Sequence, residues 1–474
     1  MPDLAWLSAL DVAAAVRAGE LSATEVTQAA LRRAEERGPQ VGAFAFLAPE
    51  RALAEAARLD ARLAHREATE LPLLGVTCPI KDLNPVAGVG FEAGSAVLAG
   101  NVAEVDDGIV GWLAAAGTVM LGKTTVPEFG FPCYTEPETA APARTPWDLT
   151  RSAGGSSGGA AAAVAAGIVP IAHGSDAGGS IRIPASACGL VGLKASRGRI
   201  SPGPLREPGP GLGIDGVLSR TVRDTAVALD VLAGSRPGDT YHAPAPATSF
   251  LAACDARPRR LRVGVLTTPV IAAADVHPAC LAAVRHAADA LGQLGHHLDE
   301  APVPFAAERW DAFAVLWRVG ALLLPLPQGA EPGLRPLTRW LREQGRGASA
   351  LEYATALAEV QRVTRDVALA WDDYDLILTP TLAQPPAPLG SLRNDADPAA
   401  DFAAQTRFTP WTSVYNLSGR PAISLPLHTA EIDGVRLPIG IMLGGRFGAE
   451  AVLLSVAAAV EAATGPWAPA LTRW

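Results

Sequence analysis

Apolar positions in this chain recur at helical spacing in some segments and as short unbroken runs in others. Val26, Ala29, Ala30 and Ala34 fall on one helical face behind Ser22-Ala-Thr-Glu25, a capping box. That pattern predicts a helix stopping near Gly38-Pro39, and a second helix is predicted over 51–62. Residues 75–80 form a short apolar run that predicts a strand delivering Lys81-Asp82 at its end. A helix is predicted at 109–116 and a buried strand at 118–121. Residues 160–166 have the composition of a buried helix whose N-terminus faces a glycine–serine stretch. Further helices are predicted at 222–232, 279–294 and 449–463, and strands at 261–266, 375–379, 422–425 and 439–443. This alternation predicts an α/β fold, a large mixed β-sheet with helices on both faces.

The stretches 201–216 and 234–249 are rich in proline and glycine, but the patterns on either side continue alike. The 474 residues therefore read as a single domain, 1–474. Residues 384–401 form a polar, proline-rich loop, the best candidate for a mobile lid. Apolar residues make up 49% of the chain and charged ones 18%, enough for a large core, and the net charge of −9 gives no surface for nucleic acid. The five cysteines are odd in number and lack CxxC spacing, which indicates neither a disulfide framework nor a zinc site. No signal-peptide pattern and no membrane-length apolar run is visible, so a cytoplasmic protein without membrane partners is expected.

Candidate chemistry concentrates in residues 151–199. Ser156 and Ser157 lie inside Gly154-Gly-Ser-Ser-Gly-Gly159, and Ser180 ends Asp176-Ala-Gly-Gly-Ser180. Glycines let backbone approach a substrate carbonyl closely, and successive N–H groups can hold an oxyanion. Gly117–Thr124 formally fits a phosphate-binding loop, but its intervening residues are bulky and apolar and Pro127 interrupts the helix that should follow. Lys123 is then structural or near a pocket entrance. Gly154–Gly158 formally fits a nucleophile elbow with Ser156 as nucleophile, which needs a downstream acid and histidine. The loop-like 145–152 segment before it fits an elbow poorly, and the second Gly-Gly-Ser stays unexplained. His173 reads as a satisfied structural histidine, and no metal-ligand spacing exists. A serine nucleophile needs a base, and a lysine made neutral by burial can serve. Lys81, at the end of an apolar strand, is the candidate; an ordinary Lys81–Asp82 surface pair is the competing reading.

Lys81-Asp82, the 154–159 block, Gly174-Ser-Asp-Ala-Gly-Gly-Ser180-Ile-Arg-Ile-Pro184 and Asn416-Leu-Ser-Gly-Arg-Pro421 together resemble the amidase signature family. The resemblance covers nearly the whole chain; Lys194-Ala-Ser196 departs from the Lys-Pro-Thr of many members. It implies the amidase signature fold, with a helical part at 1–65, a catalytic core at 66–235 and a pocket region at 305–345. It also implies a Ser-cisSer-Lys triad in which Ser180 is the nucleophile, Ser156 the bridging serine and Lys81 the base. Ala177, Gly178, Gly179 and Ser180 would supply oxyanion donors, with Asp176 and Arg182 bracing the loop. Pocket walls are expected from Phe129, Phe131, Cys133, Tyr134, Ser157 and Trp317, with Trp310 and Phe313 nearby. Within the family, Arg197–Pro204, Arg236–Thr240 and Leu261–Thr267 resemble 6-aminohexanoate cyclic dimer hydrolases. The implied activity is hydrolysis of neutral linear or cyclic amides through an acyl-enzyme, without metal or cofactor, by a monomer or homodimer. The alternatives are a carbamate or ester hydrolase, or the amidotransferase subunit for transfer-RNA-linked glutamine formation.

Overall fold

The computed structural model describes residues 4–207, 209–465 and 467. Three short strands, β1 (Phe44–Leu47), β2 (Ile80–Lys81) and β3 (Gly122–Thr124), pair in the order β1-β3-β2. Eight more build the large sheet: β4 (Ile171–Asp176), β5 (Val191–Lys194), β6 (Ile214–Ser219), β7 (Arg262–Val265), β8 (His297–Glu300), β9 (Leu376–Pro380), β10 (Ala422–Ile432) and β11 (Val435–Gly445). Their order is β4-β6-β5-β10-β11-β9-β7-β8. β7 runs parallel to β8 and β9, and the remaining neighbours are antiparallel, so the sheet is mixed.

Successive side chains of a strand point to opposite faces. Leu376, Leu378, Ile441 and Leu443 join one core, whereas Ile377 and Met442, between them, join another. The first core is closed by helices Pro278–Gln293 and Glu450–Thr464, through Ala283, Val284, Leu453 and Leu454. The second is closed by Asp311–Leu322 and Ala350–Ala370, through Phe313, Leu316, Val360 and Val363. This is the expected α/β architecture, a sheet covered on both faces.

Local signals fixed element types better than element ends. The Ser22 capping box starts a helix as expected, but the helix spans Ala23–Val41 and closes on Gly42 at φ 61°. Pro39 gives up the bond its N–H would make to the residue-35 carbonyl without ending the helix, and the fully buried Val41 holds the last turn in place. The strand expected at 118–121 is reduced to one bridge, Val119 to Thr77, and regular pairing is displaced to β3. β10 and β11 extend well past the predicted 422–425 and 439–443, because the residues nearest their connecting turn are only partly buried and lose the apolar pattern before they lose pairing. Asp433 (φ 53°) and Gly434 (φ 77°) form the two-residue turn between them, both in the left-handed region that such a hairpin turn requires. The 384–401 loop, expected as a mobile lid, is pinned. Ala387 O accepts from Ser152 N (2.8 Å), Leu389 N donates to Thr150 O (3.0 Å), and the segment runs into helix Pro398–Phe408.

The two sheets meet where the chemistry was expected. His173 N on β4 donates to Pro79 O (3.0 Å), tying the start of β2 to the large sheet. Beside it, Lys123 Nζ on β3 contacts Asp82 Oδ1 at 2.6 Å with both side chains fully buried. Asp82 is therefore not a surface partner of Lys81, and Lys123 is structural. Breaking a buried pair strands a charge, which typically costs ~3–5 kcal/mol. We expect Lys123→Met to lose that order of stability in urea unfolding, and Lys123→Met with Asp82→Asn to recover a large part of it.

Candidate active site

Lys81 closes β2 and is fully buried. Its Nζ lies 2.9 Å from Ser156 Oγ and donates to Ser175 O at 3.0 Å. Among the described residues no carboxylate forms an ion pair with it. Burial pulls its ammonium down to about 7, against the opposing pull of Asp176 and Asp215. A neutral amine keeps a lone pair for a hydroxyl proton while an N–H holds Ser175 O.

Ser156 follows a cis peptide bond from Gly155. The backbone there packs against the 133–134 segment so closely that a Cβ on Gly155 would come within 2.8 Å of the Tyr134 carbonyl carbon. Glycine at 155 is what allows the serine to reach Lys81. Ser157 begins the helix Gly158–Ala165, and its N–H donates to Ser180 O (3.2 Å), which fastens the two serine-bearing loops together.

Ser180 stands just before helix Arg182–Cys188. Its loop is organised by the Asp176 carboxylate. That carboxylate accepts from Gly179 N (2.8 Å), Ile181 N (3.2 Å), Arg182 Nε and Nη2 (2.9 Å each) and Asn416 Nδ2 (2.9 Å). Burial alone would push the Asp176 carboxyl up, but Arg182 and Asn416 hold it well below the usual carboxylate range. Asp176 and Arg182 thus brace the loop as expected. One of the four expected oxyanion donors is corrected, because the Gly179 N–H is consumed by Asp176. The N–H groups of Ala177, Gly178 and Ser180 make no hydrogen bond to a described residue, and neither does Ser180 Oγ. Gly179 adopts φ 138°, and a Cβ there would sit 2.6 Å from Thr412 Oγ1, whose hydroxyl donates to Gly178 O (2.7 Å).

His173 is a satisfied structural histidine. Its Nδ1 accepts from Lys81 N (3.2 Å), and its Nε2 faces Asp215 Oδ1 (3.2 Å), which assigns the ring proton to Nε2. No histidine bonds Ser156 or Ser180 among the described residues, so the elbow arrangement lacks its base. No cluster of metal-ligating side chains is present among them either.

Ser180 lies where two lobes of a cavity meet. One, about 50 Å³, is lined by Phe131, Cys133, Trp310, Phe313, Trp317 and Gln405 among others. The other, about 280 Å³, is lined by Phe129, Phe131, Ser156, Ala177, Leu212 and Trp317 among others. Trp310, Phe313 and Trp317 stack in series along one helical face, with ring centroids 5.1 Å apart at each step. Phe131 meets Trp317 edge-on at 5.4 Å. Phe129, Phe131, Cys133 and Trp317 are therefore wall residues as expected. Burial pushes the Cys133 thiol up, so it offers no thiolate nucleophile.

Two expected wall residues are not. Tyr134 packs with Ile183, Leu382 and Phe408, and its hydroxyl donates to Asp401 (2.7 Å). Ser157 turns its Oγ to Ser175, donating to the carbonyl (3.3 Å) and accepting from the N–H (3.4 Å). Neighbours in sequence here point to opposite sides of the loop. Gln405, Thr406, Thr409 and Ser413 line the smaller lobe and were not anticipated. They arrive from more than 200 residues away, on the Pro398–Phe408 and Thr412–Ser418 helices and the turn between them, and no local pattern marks them.

Comparison with known proteins places the chain in a family. The Amidase family model matches residues 25–454. The 6-aminohexanoate-cyclic-dimer hydrolase of Paenarthrobacter ureafaciens is 36% identical, over 98% of this chain and 95% of its own. A glutamyl-tRNA(Gln) amidotransferase chain of Chloroflexus aggregans is 35% identical over 98% of each chain. A solved structure of 6-aminohexanoate cyclic dimer hydrolase superposes with a TM-score of 0.90 at 34% identity, covering 98% of both chains. With a buried lysine on a serine, a second serine on a glycine loop and this likeness along its length, the chain belongs to the amidase signature family and is an amidase, a hydrolase of non-peptide carbon–nitrogen bonds.

Proposed function

We propose that this amidase cleaves neutral linear or cyclic amides through a Ser180–Ser156–Lys81 triad. The observation that carries the reading is the buried 2.9 Å contact between Lys81 Nζ and Ser156 Oγ, with no ion-pair partner to keep the amine charged. Neutral Lys81 takes the Ser156 hydroxyl proton as Ser156 takes that of Ser180. Ser180 Oγ attacks the amide carbon, and the Ala177, Gly178 and Ser180 N–H groups receive the oxyanion. Each such donor is worth roughly 3 kcal/mol of barrier. The Ser156–Ser180 contact closes with substrate in place, as catalytic hydrogen bonds commonly do. Collapse expels the amine, which receives the proton back through Ser156 and leaves an ester on Ser180. Water, deprotonated by the same relay, cleaves the ester to a carboxylic acid and frees Ser180.

The walls favour substrates without charge. Phe131, Trp310, Phe313 and Trp317 form an apolar face on the cavity, and the described lining residues include no lysine, arginine, aspartate or glutamate. Burying an unpaired substrate charge there is expensive. Two lobes meeting at Ser180 suit a substrate extending on both sides of its scissile bond, as a medium-sized or cyclic amide does.

Ser180→Ala is expected to fold and to lose at least ~10⁴-fold in kcat, measured in single-turnover assays. Retained turnover there, with loss confined to Ser156→Ala, would restore the elbow assignment.

The acid limb of kcat/KM should report Lys81. The amine is the active form, so activity is full above about pH 8 and falls tenfold per unit below about 7. Lys81→Met should be nearly inactive at every pH. A profile flat down to pH 5 would remove Lys81 as the base.

A substrate panel separates the remaining readings. The purified chain should hydrolyse a neutral anilide or a cyclic diamide without ATP, metal or a second protein, and prefer them over amides of charged amino acids by at least tenfold. Faster cleavage of an aryl carbamate or ester would move the preference to that leaving group. Activity that appears only with ATP and a partner protein would favour the amidotransferase reading.

A further inference from the structure

Across the Thr412–Ser418 helix from Ser180, a second cavity of about 380 Å³ is lined by Arg197, Tyr241, Ser418, Arg420, Arg446 and Phe447 among others. Its charge is unbalanced. Arg197 bonds only backbone carbonyls, those of Gly211 (2.7 Å), Asn416 and Leu417 (2.8 Å each). Arg420, 7% exposed, likewise bonds only Gly445 O (2.9 Å) and Val367 O (3.3 Å). Neither has a carboxylate partner among the described residues. Asp372 is the one acidic side chain lining the cavity, and it accompanies Arg446, at 3.8 Å. Burial pulls both Arg197 and Arg420 down from the ordinary arginine value; at Arg420, Tyr415 and Asp372 oppose that shift and Arg446 adds to it.

Arg197 makes no bond through Nη1 and Arg420 none through Nη2, so guanidinium donors remain unused. Guanidinium forks match carboxylate and phosphate oxygens.

We propose that this cavity is a binding site for a small oxyanion, a carboxylate or a phosphate, held by Arg197, Arg420 and Arg446. The site is separate from the amide-cleaving cavity, and its existence does not depend on the triad. The segment between them belongs to both. Pro210, Leu212 and Gly213 line the larger catalytic lobe, while Arg197 holds Gly211 O and the Tyr241 hydroxyl donates to Gly209 O (3.2 Å).

The test is isothermal titration calorimetry of the full chain with inorganic phosphate and, separately, acetate, at constant ionic strength. Saturable binding of one ion per chain is expected for at least one of the two, and which one identifies the ligand class. Affinity should fall at least tenfold in Arg420→Met and in Arg446→Met, with hydrolytic activity showing that each variant is folded. Should Arg420→Met fail to fold, exposed Arg446 still decides the question. Absence of saturable binding for both ions, or binding unchanged in Arg446→Met, overturns the proposal.

Discussion

A lysine amine held away from water, without a carboxylate against it, is the constraint around which this molecule is arranged. Burial depresses the amine to about 7, and two acidic side chains in its surroundings oppose that shift. Both are committed elsewhere. Asp176 directs its oxygens to Arg182, Asn416 and backbone N–H groups, and Asp215 bonds His173 and Arg206. Were either free to pair with Lys81, the ion pair would favour the ammonium over the amine. The arginine neighbours are thus as much a condition for the amine as its burial.

The same division of partners shapes the loop that carries Ser180. Asp176 fixes Gly179 by taking its N–H, while Thr412 fixes the carbonyl of Gly178. Those two bonds set the peptide plane between the glycines and leave the Ala177, Gly178 and Ser180 N–H groups without partners among the described residues. These N–H groups are therefore held in place by Asp176 and Thr412, the preorganisation that the proposed oxyanion role requires. Asn416 extends the arrangement by bonding Asp176, Arg182 and Leu212 O, which joins the loop to the wall of the larger lobe. The Thr412–Ser418 helix consequently presents one end to the substrate cavity and the other to the arginine-lined cavity behind it.

Much of this was legible along the chain. The glycines around Ser156 and Ser180, the apolar run ending at Lys81 and the alternation of helical and strand patterns are local, and local sterics and burial act on them directly. They determined the α/β class, most elements, and which side chains are candidates for the chemistry. Asp433-Gly434 was a local signal as well, and read as a hairpin turn it would have extended β10 and β11 to their full length. Other features had no local trace. Asp82 pairs with Lys123 rather than standing beside Lys81 because strand pairing sets which neighbours of a lysine are in reach. Tyr134 and Ser157 turn away from the cavity because adjacent residues of a tight loop face opposite ways, and only the packing around the loop selects which one faces in. Gln405, Thr409 and Ser413 reach the wall from the far end of the chain. The sequence by itself thus determined the candidate residues and what scaffold carries them. The tertiary structure decided the burial of Lys81, the loop N–H groups left without partners and the shape of the pocket, because each depends on desolvation and pairing between segments that meet only in the folded chain.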